Sequence, residues 1–132
     1  MRRTAIVALS VLALGCHFGP RADDLAVARE PRGARTRIAA RTGITIDGEL
    51  LAVLDTGLVV LWSRQVGYMP YVQTLTLSAQ TISLSIAKGR LPSPGDREHL
   101  RLMSRFPQGL TPDLEARLLA AHHQRAIVVL AQ

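Results

Sequence analysis

Few side chains in this 132-residue chain are spaced for chemistry. The adjacent pair His122-His123 is where a metal ion would first be sought. Neighbouring residues on a helix point about 100° apart, and a helical zinc pair needs i, i+4 spacing. His99 would have to arrive through the tertiary fold, and there is no second cysteine beside Cys16. The paired histidines therefore read as residues favoured at a helix C-terminus by the helix dipole. Asp47 and Glu49 fall on one face of a strand, with Asp55 in a turn. Paired carboxylates serve glycosidases and aspartic proteases, but in deep clefts of larger folds, so turn and rim roles are expected here. A hydrolytic site would have to be assembled from Asp47, Glu49 or His99, and a pocket grouping two of them within hydrogen-bond reach would speak for it. No serine lies in a Gly-x-Ser-x-Gly elbow and there is no glycine-rich phosphate loop. The sequence thus predicts no catalytic constellation, no metal site and no cofactor.

Cys16, the single thiol, has a different context. Arg2 and Arg3 precede an uncharged run, Thr4 to Gly15, that stops at Gly15-Cys16. A basic start, a short apolar stretch and a small residue at the cut form a secretory signal. The run is too short for a stable membrane-crossing helix, which needs roughly 20 residues. Leu12-Ala13-Leu14-Gly15-Cys16 resembles the lipobox of bacterial lipoproteins. The family usually has Leu three places before the cysteine and a smaller residue two places before it; here those positions hold Ala13 and Leu14. The resemblance implies a diacylglycerol group on the Cys16 thiol, cleavage just before it, and a third, amide-linked chain such as palmitate. Two or three acyl chains hold a protein on a membrane where one is marginal. His17 in place of the aspartate that retains such proteins on the inner membrane points to the outer one. Ala13-x-Gly15 also satisfies the rule for ordinary signal cleavage at the same bond, which would leave Cys16 as a free thiol.

Removing residues 1–15 leaves 117, enough for one small domain. With no second cysteine, packing alone must hold it. Loss of Arg2 and Arg3 leaves 14 basic residues against 10 acidic, and Lys88 is the one lysine. Arg29, Arg32, Arg35, Arg37 and Arg41 fall close together, opposed there by Glu30. They read either as a patch near an anionic membrane surface or as a solvated linker entering the polar face of a strand. Nucleic acid is not an expected partner: Phe18, Trp62, Tyr68, Tyr71 and Phe106 show no stacking interleave with arginine, and export separates the chain from it.

Residues 16–35 carry Pro20, Pro31, Gly19 and Gly33 without an apolar period and predict a flexible tether. From Thr36 the pattern alternates. Ile38, Ala40, Thr42, Ile44 and Ile46 oppose Arg37, Arg41, Thr45 and Asp47, as in a half-buried strand or strand pair with Gly43 as a bend. Asp47-Gly48 is a turn or bulge signal. Glu49–Leu54 and Leu58–Trp62 are apolar on both faces around an Asp55-Thr56-Gly57 hairpin loop. Alternation returns at Tyr71, Gln73, Leu75 and Leu77, then at Ile82, Leu84 and Ile86. About five short strands in some fifty residues predict a small antiparallel β-barrel or roll over 36–89. Ile44-x-Ile46-x-Gly48-Glu49-Leu50-Leu51, then Asp55-x-Gly57-Leu58-Val59-Val60-Leu61, then a strand entering through Pro70, resemble the SH3-like and Sm-like small barrels in rhythm and turn placement.

Over 90–132, Ser93-Pro94-Gly95-Asp96 and Thr111-Pro112-Asp113 each supply an N-cap, a proline at the first helical position and an acid in the first turn. They open two helices. The first carries Leu100, Met103 and Phe106 on one face; the second runs to about His123 with Leu114, Leu118, Leu119 and His122 together. The expectation is a helical hairpin laid on the apolar face of the β-unit, with Ala126–Ala131 as a last strand. The fold class is thus α+β. The expected role is that of a lipid-anchored cell-envelope protein on the periplasmic side, a non-catalytic binding or scaffold module with an envelope protein as partner. A soluble periplasmic accessory subunit is the alternative. Trp62, Tyr68 and Tyr71 around one hairpin form the candidate protein-contact patch.

Overall fold

The structure, a computed structural model, describes residues 33–131. The signal segment, Cys16 and most of the expected tether lie outside the described residues. The folded unit takes in Gly33, Ala34 and Arg35 of that tether: Ala34 is buried in the core and Arg35 opens the first strand.

The α+β class holds, and the barrel does not. Seven strands form one open sheet in the order β6-β5-β1-β2-β3-β4-β7. β1 (Arg35–Ala40) and β2 (Thr45–Val53) pair antiparallel across a turn in which Gly43 takes φ +96. The expected turn at Asp47-Gly48 is instead mid-strand, with Asp47 opposite Arg37 and Gly48 opposite Thr36. β3 (Gly57–Trp62) follows the Asp55-Thr56 connection, and β4 (Gln65–Pro70) follows a two-residue turn at Ser63-Arg64. A 3₁₀ turn, Tyr71–Gln73, then carries the chain across so that β5 (Thr74–Ala79) pairs with β1. β6 (Ile82–Ser85) closes the meander on the outside. Arg41 pins that return: its backbone N–H donates to the Gln73 carbonyl at 2.8 Å, and its guanidinium donates to the carbonyls of Val72 and Ile86.

The C-terminal apolar run does add to the sheet edge, as β7 (Val128–Val129), parallel to β4. This placement helps keep the sheet open. The outer edge of β4 is occupied by β7 and by the Gln124 amide, which accepts from the Val66 N–H at 2.6 Å and donates to the Val66 carbonyl at 3.1 Å. No edge of β4 remains for β6 to meet.

Both helices begin as their caps require. Ser93 Oγ accepts from the Asp96 N–H at 3.1 Å to start α1 (Pro94–Met103), and Thr111 Oγ1 accepts from the Leu114 N–H at 3.2 Å to start α2 (Pro112–Ala121). They do not share one apolar face. Leu100 and Met103 of α1 join the cluster of Ile38, Ile46, Leu50, Leu58, Val60, Met69, Tyr71 and Leu77. Leu118 and Leu119 of α2 join a second cluster with Leu51, Ala52, Val59 and Val66, which Phe106 and Tyr68 border. The sheet alternation separates the two sets: Leu58 faces Met69 across the ladder in the first, and Val59 faces Tyr68 in the second.

The chain passes from one cluster to the other at residues 104–106, and this is why Phe106 parts from Leu100 and Met103. β1 begins opposite Glu49 and the Ala34 carbonyl still accepts from the Leu50 N–H at 2.9 Å, so among the described residues the lane beside β2 opens only beyond that bond. The N–H of Arg105 donates to the Leu50 carbonyl and that of Phe106 to the Leu51 carbonyl, both at 2.9 Å. A ladder irregularity between Leu50 and Ala52 lies at the same place. A Cβ on Gly33 would stand 2.0 Å from the Leu50 oxygen and 3.0 Å from the Arg105 nitrogen, so only glycine fits where three segments converge.

Candidate functional site

The crossing brings a charge into the interior. Arg105 and Glu49, 56 residues apart, pair at 3.2 Å with side chains 4% and 3% exposed. The Arg105 guanidinium also sits 5.5 Å from the centroid of the Phe106 ring, within cation–π range. Burial of two ions is tolerated only when each finds a well-placed partner, and the backbone bonds of Arg105 and Phe106 to β2 hold the cation in place.

Glu49 also forms part of the wall of an open cleft of about 570 Å³ between β1–β2, the β3–β4 turn and the end of α2. Arg35, Asp47, Leu61, Ser63, Arg64, Ala121, His122 and His123 complete it. Each element contributes for a reason visible in its pairing. Arg35 and Leu61 are the cross-strand partners of Glu49, so the three stand in one row on one face of the sheet. The Ser63-Arg64 turn closes the strict Trp62–Gln65 pair with φ 50 and φ 65, the geometry that hairpin twist favours and that non-glycine residues resist. His122 caps α2, and His123 follows at φ 56. Gln124, clamped on Val66, fixes the distance between the two histidines and the turn.

A second cleft, of about 420 Å³, shares Arg35 and Asp47 with the first and is also lined by Thr36, Arg37, Ser78 and Gln80. Gln80 is also at positive φ, 47, so among the described residues four of the five non-glycine residues in that region of backbone space border these two clefts.

The carboxylates are engaged. Arg37 binds Asp47 at 2.8 Å on the surface, with side chains 68% and 51% exposed. That hydrogen bond first, then the nearby charges of Arg37 and Arg35, hold the Asp47 carboxyl below the usual carboxylate range. The cations are less fully engaged. Neither Arg35 nor Arg64 forms an ion pair among the described residues. The Nε2 atom of His122 is buried without a hydrogen-bond partner among them.

The structure brings together some of the residues that the sequence singled out. Asp47 and Glu49 share the cleft, but each is held by an arginine, and His99 is exposed on α1 away from it. His122 and His123 share it too, while no group of three metal-ligating side chains occurs among the described residues. The aromatic trio does not form one patch. Tyr71 is wholly buried and donates from Oη to the Leu54 carbonyl at 3.1 Å. Trp62 packs against the first cluster, and Tyr68 against the second, on the other side of the sheet. Of the arginine run, Arg35 and Arg37 project from the exposed face of β1, and Arg29 and Arg32 lie outside the described residues. Arg64, Ser63 and Arg105 carried no sequence signal, because each matters only through partners distant in the chain.

Burial pushes the Tyr71 phenol up to about 12. A raised acid retains its proton in the folded state while the unfolded chain ionises near 10, so stability is complete below about pH 10 and falls as pH rises toward 12. The expected loss across that window is about 2–3 kcal/mol. Tyr71→Phe removes this component, and alkaline urea titrations of the two proteins check it: parallel stability curves above pH 10 would refute the assignment.

No protein-family model, curated protein or solved structure matches this chain.

Proposed function

We propose that this chain is an exported, lipid-anchored envelope protein whose folded domain is a non-catalytic binding module on the periplasmic side, with the outer membrane as its seat. The observation that carries the reading is the Met1–Cys16 segment: two arginines, twelve uncharged residues and one cysteine at the small-residue cut. Acylation gives that lone thiol a use in an oxidising compartment where a free one is a hazard. Among the described residues no helix is long and apolar enough to cross a membrane, which is compatible with attachment through lipid. Sixteen residues separate Cys16 from Gly33; fully extended, they reach at most about 60 Å. The binding role is supported by the cleft at Arg35, Arg64 and His122, whose acidic members are already held by Arg37 and Arg105.

Intact-mass analysis after expression in a lipoprotein-competent bacterium tests the anchor. The expected product starts at Cys16 and carries acyl mass, and Cys16→Ser abolishes both processing and membrane fractionation. A product cut before Cys16 without added mass supports the soluble periplasmic subunit, the reading that Ala13-x-Gly15 favours. Retention of residues 1–15 refutes export.

A further inference from the structure

We propose that the cleft between the Ser63-Arg64 turn and the end of α2 binds the oxyanion group, carboxylate or phosphate, of a ligand, with Arg35 and Arg64 as its charged contacts. The inference deepens the binding-module reading and rests on it. Three independent features converge. The first is charge: Asp47 and Glu49 are answered by Arg37 and Arg105, neither of which lines this cleft, leaving Arg35 and Arg64 facing it without an ion-pair partner among the described residues. Guanidinium presents a planar fork that matches a carboxylate or phosphate edge, and a concave wall concentrates the field of the charges it holds.

The second feature is the buried Nε2 of His122, which like Arg97 Nε and Arg105 Nη2 lacks a hydrogen-bond partner among the described residues, whereas buried polar atoms in proteins are ordinarily satisfied. That atom has almost no accessible surface, so a ligand oxygen would partner it only once the His122 ring turns toward the cleft. The third is conformational. Ser63 and Arg64 occupy a two-residue turn that asparagine and glycine fit far better, and His123 is likewise left-handed. Strain of this kind persists where the side chain is needed. Ser63-Arg64 keeps an arginine at the rim at the expense of turn stability. Leu61 supplies an apolar patch beside the charges, as small-ligand clefts commonly do.

Titration of the isotope-labelled full chain in neutral detergent with inorganic phosphate, and separately with acetate, tests the proposal by amide chemical shift. Saturable shifts confined to Arg35, Ser63, Arg64, His122 and His123 are expected. Arg64→Gln and Arg35→Gln should each weaken binding about tenfold, the loss of one charge-assisted hydrogen bond. The double replacement Ser63→Asn with Arg64→Gly separates function from folding: it should raise the melting temperature while weakening phosphate binding to the same degree. Shifts that match an equal ionic strength of sodium chloride, or that spread equally to Arg90 and Arg125, would overturn the site. So would unchanged affinity in the turn variant. Phosphatidylglycerol vesicles that displace phosphate would assign the oxyanion to lipid headgroups, and vesicles that leave it bound would assign it to a soluble ligand. Acylation of Cys16 is read by mass alone, so failure of the cleft and failure of the anchor are distinguishable.

Discussion

Arg105→Met is expected to lower the stability of the folded domain by about 3–5 kcal/mol, the cost of leaving a buried carboxylate without a principal counter-ion. Against a total of about 5–15 kcal/mol for a domain of this kind, that is a large fraction. Glu49 and Arg105 are both almost wholly buried, so the charges interact through protein rather than water. Salt screens such a pair weakly, and the loss should persist at high ionic strength. Arg105→Lys should restore only part of it, because the ammonium lacks the planar fork and the stacking on Phe106. In a cycle with Glu49→Gln, the double variant should be less destabilised than the sum of the single ones, by up to about 3 kcal/mol. The exposed pair Arg37–Asp47 is the control: its distance is shorter, 2.8 Å, yet Arg37→Gln should cost less than about 1 kcal/mol. Urea midpoints of the five variants decide the matter. A loss of under 1 kcal/mol for Arg105→Met would mean that the ion pair does not hold the crossing.

The helices give the second large effect. Leu100→Ala removes the fully buried contact of α1 with the first cluster, leaving Met103, and Leu118→Ala that of α2 with the second, leaving Leu119. Both leucines are fully buried, so each truncation should cost about 2–5 kcal/mol. The two sites share no cluster, and their effects should add to within about 0.5 kcal/mol. A helical hairpin resting on one face predicts otherwise: the leucines would be neighbours, and the double variant would deviate from the sum. Denaturation of the single and double variants therefore distinguishes the two architectures. A coupling well above that margin would contradict helices on separate faces.

Local chemistry made much of the fold legible. Alternation in Arg35–Ala40 and in the Ile82, Leu84, Ile86 series marks strands because a pleated chain sends successive side chains to opposite faces. Ser93-Pro94 and Thr111-Pro112 mark helix starts because their oxygens satisfy amides that no helix can satisfy internally. β4 was harder to see: Gly67, Pro70 and the Ser63-Arg64 turn interrupt its pattern, and its strand character comes from pairing with β3. Asp47-Gly48 misled for the opposite reason. A turn-forming dipeptide was overruled by the ladder between β1 and β2.

The candidate site was less legible than the fold. Asp47, Glu49, His122 and His123 stood out by residue type, but type alone assigned them no common surface. Their meeting depends on the Gln124–Val66 clamp and on the 104–106 crossing, contacts made 56 to 58 residues apart in the chain. Hydrophobic pattern reports which side chains seek burial, not which of two apolar sheet faces will receive them.

The α+β class, the helix caps, most of the strands and the one cysteine at a signal-like junction are each written in neighbouring residues. Long-range packing, by contrast, sets the open sheet, the separate clusters under α1 and α2, the burial of Arg105 against Glu49, and the cleft shared by Arg35 and Arg64. Those outcomes depend on which distant segments take the free lanes beside β2 and β4. Such choices follow from the packing of the whole domain, to which no short stretch of sequence has access.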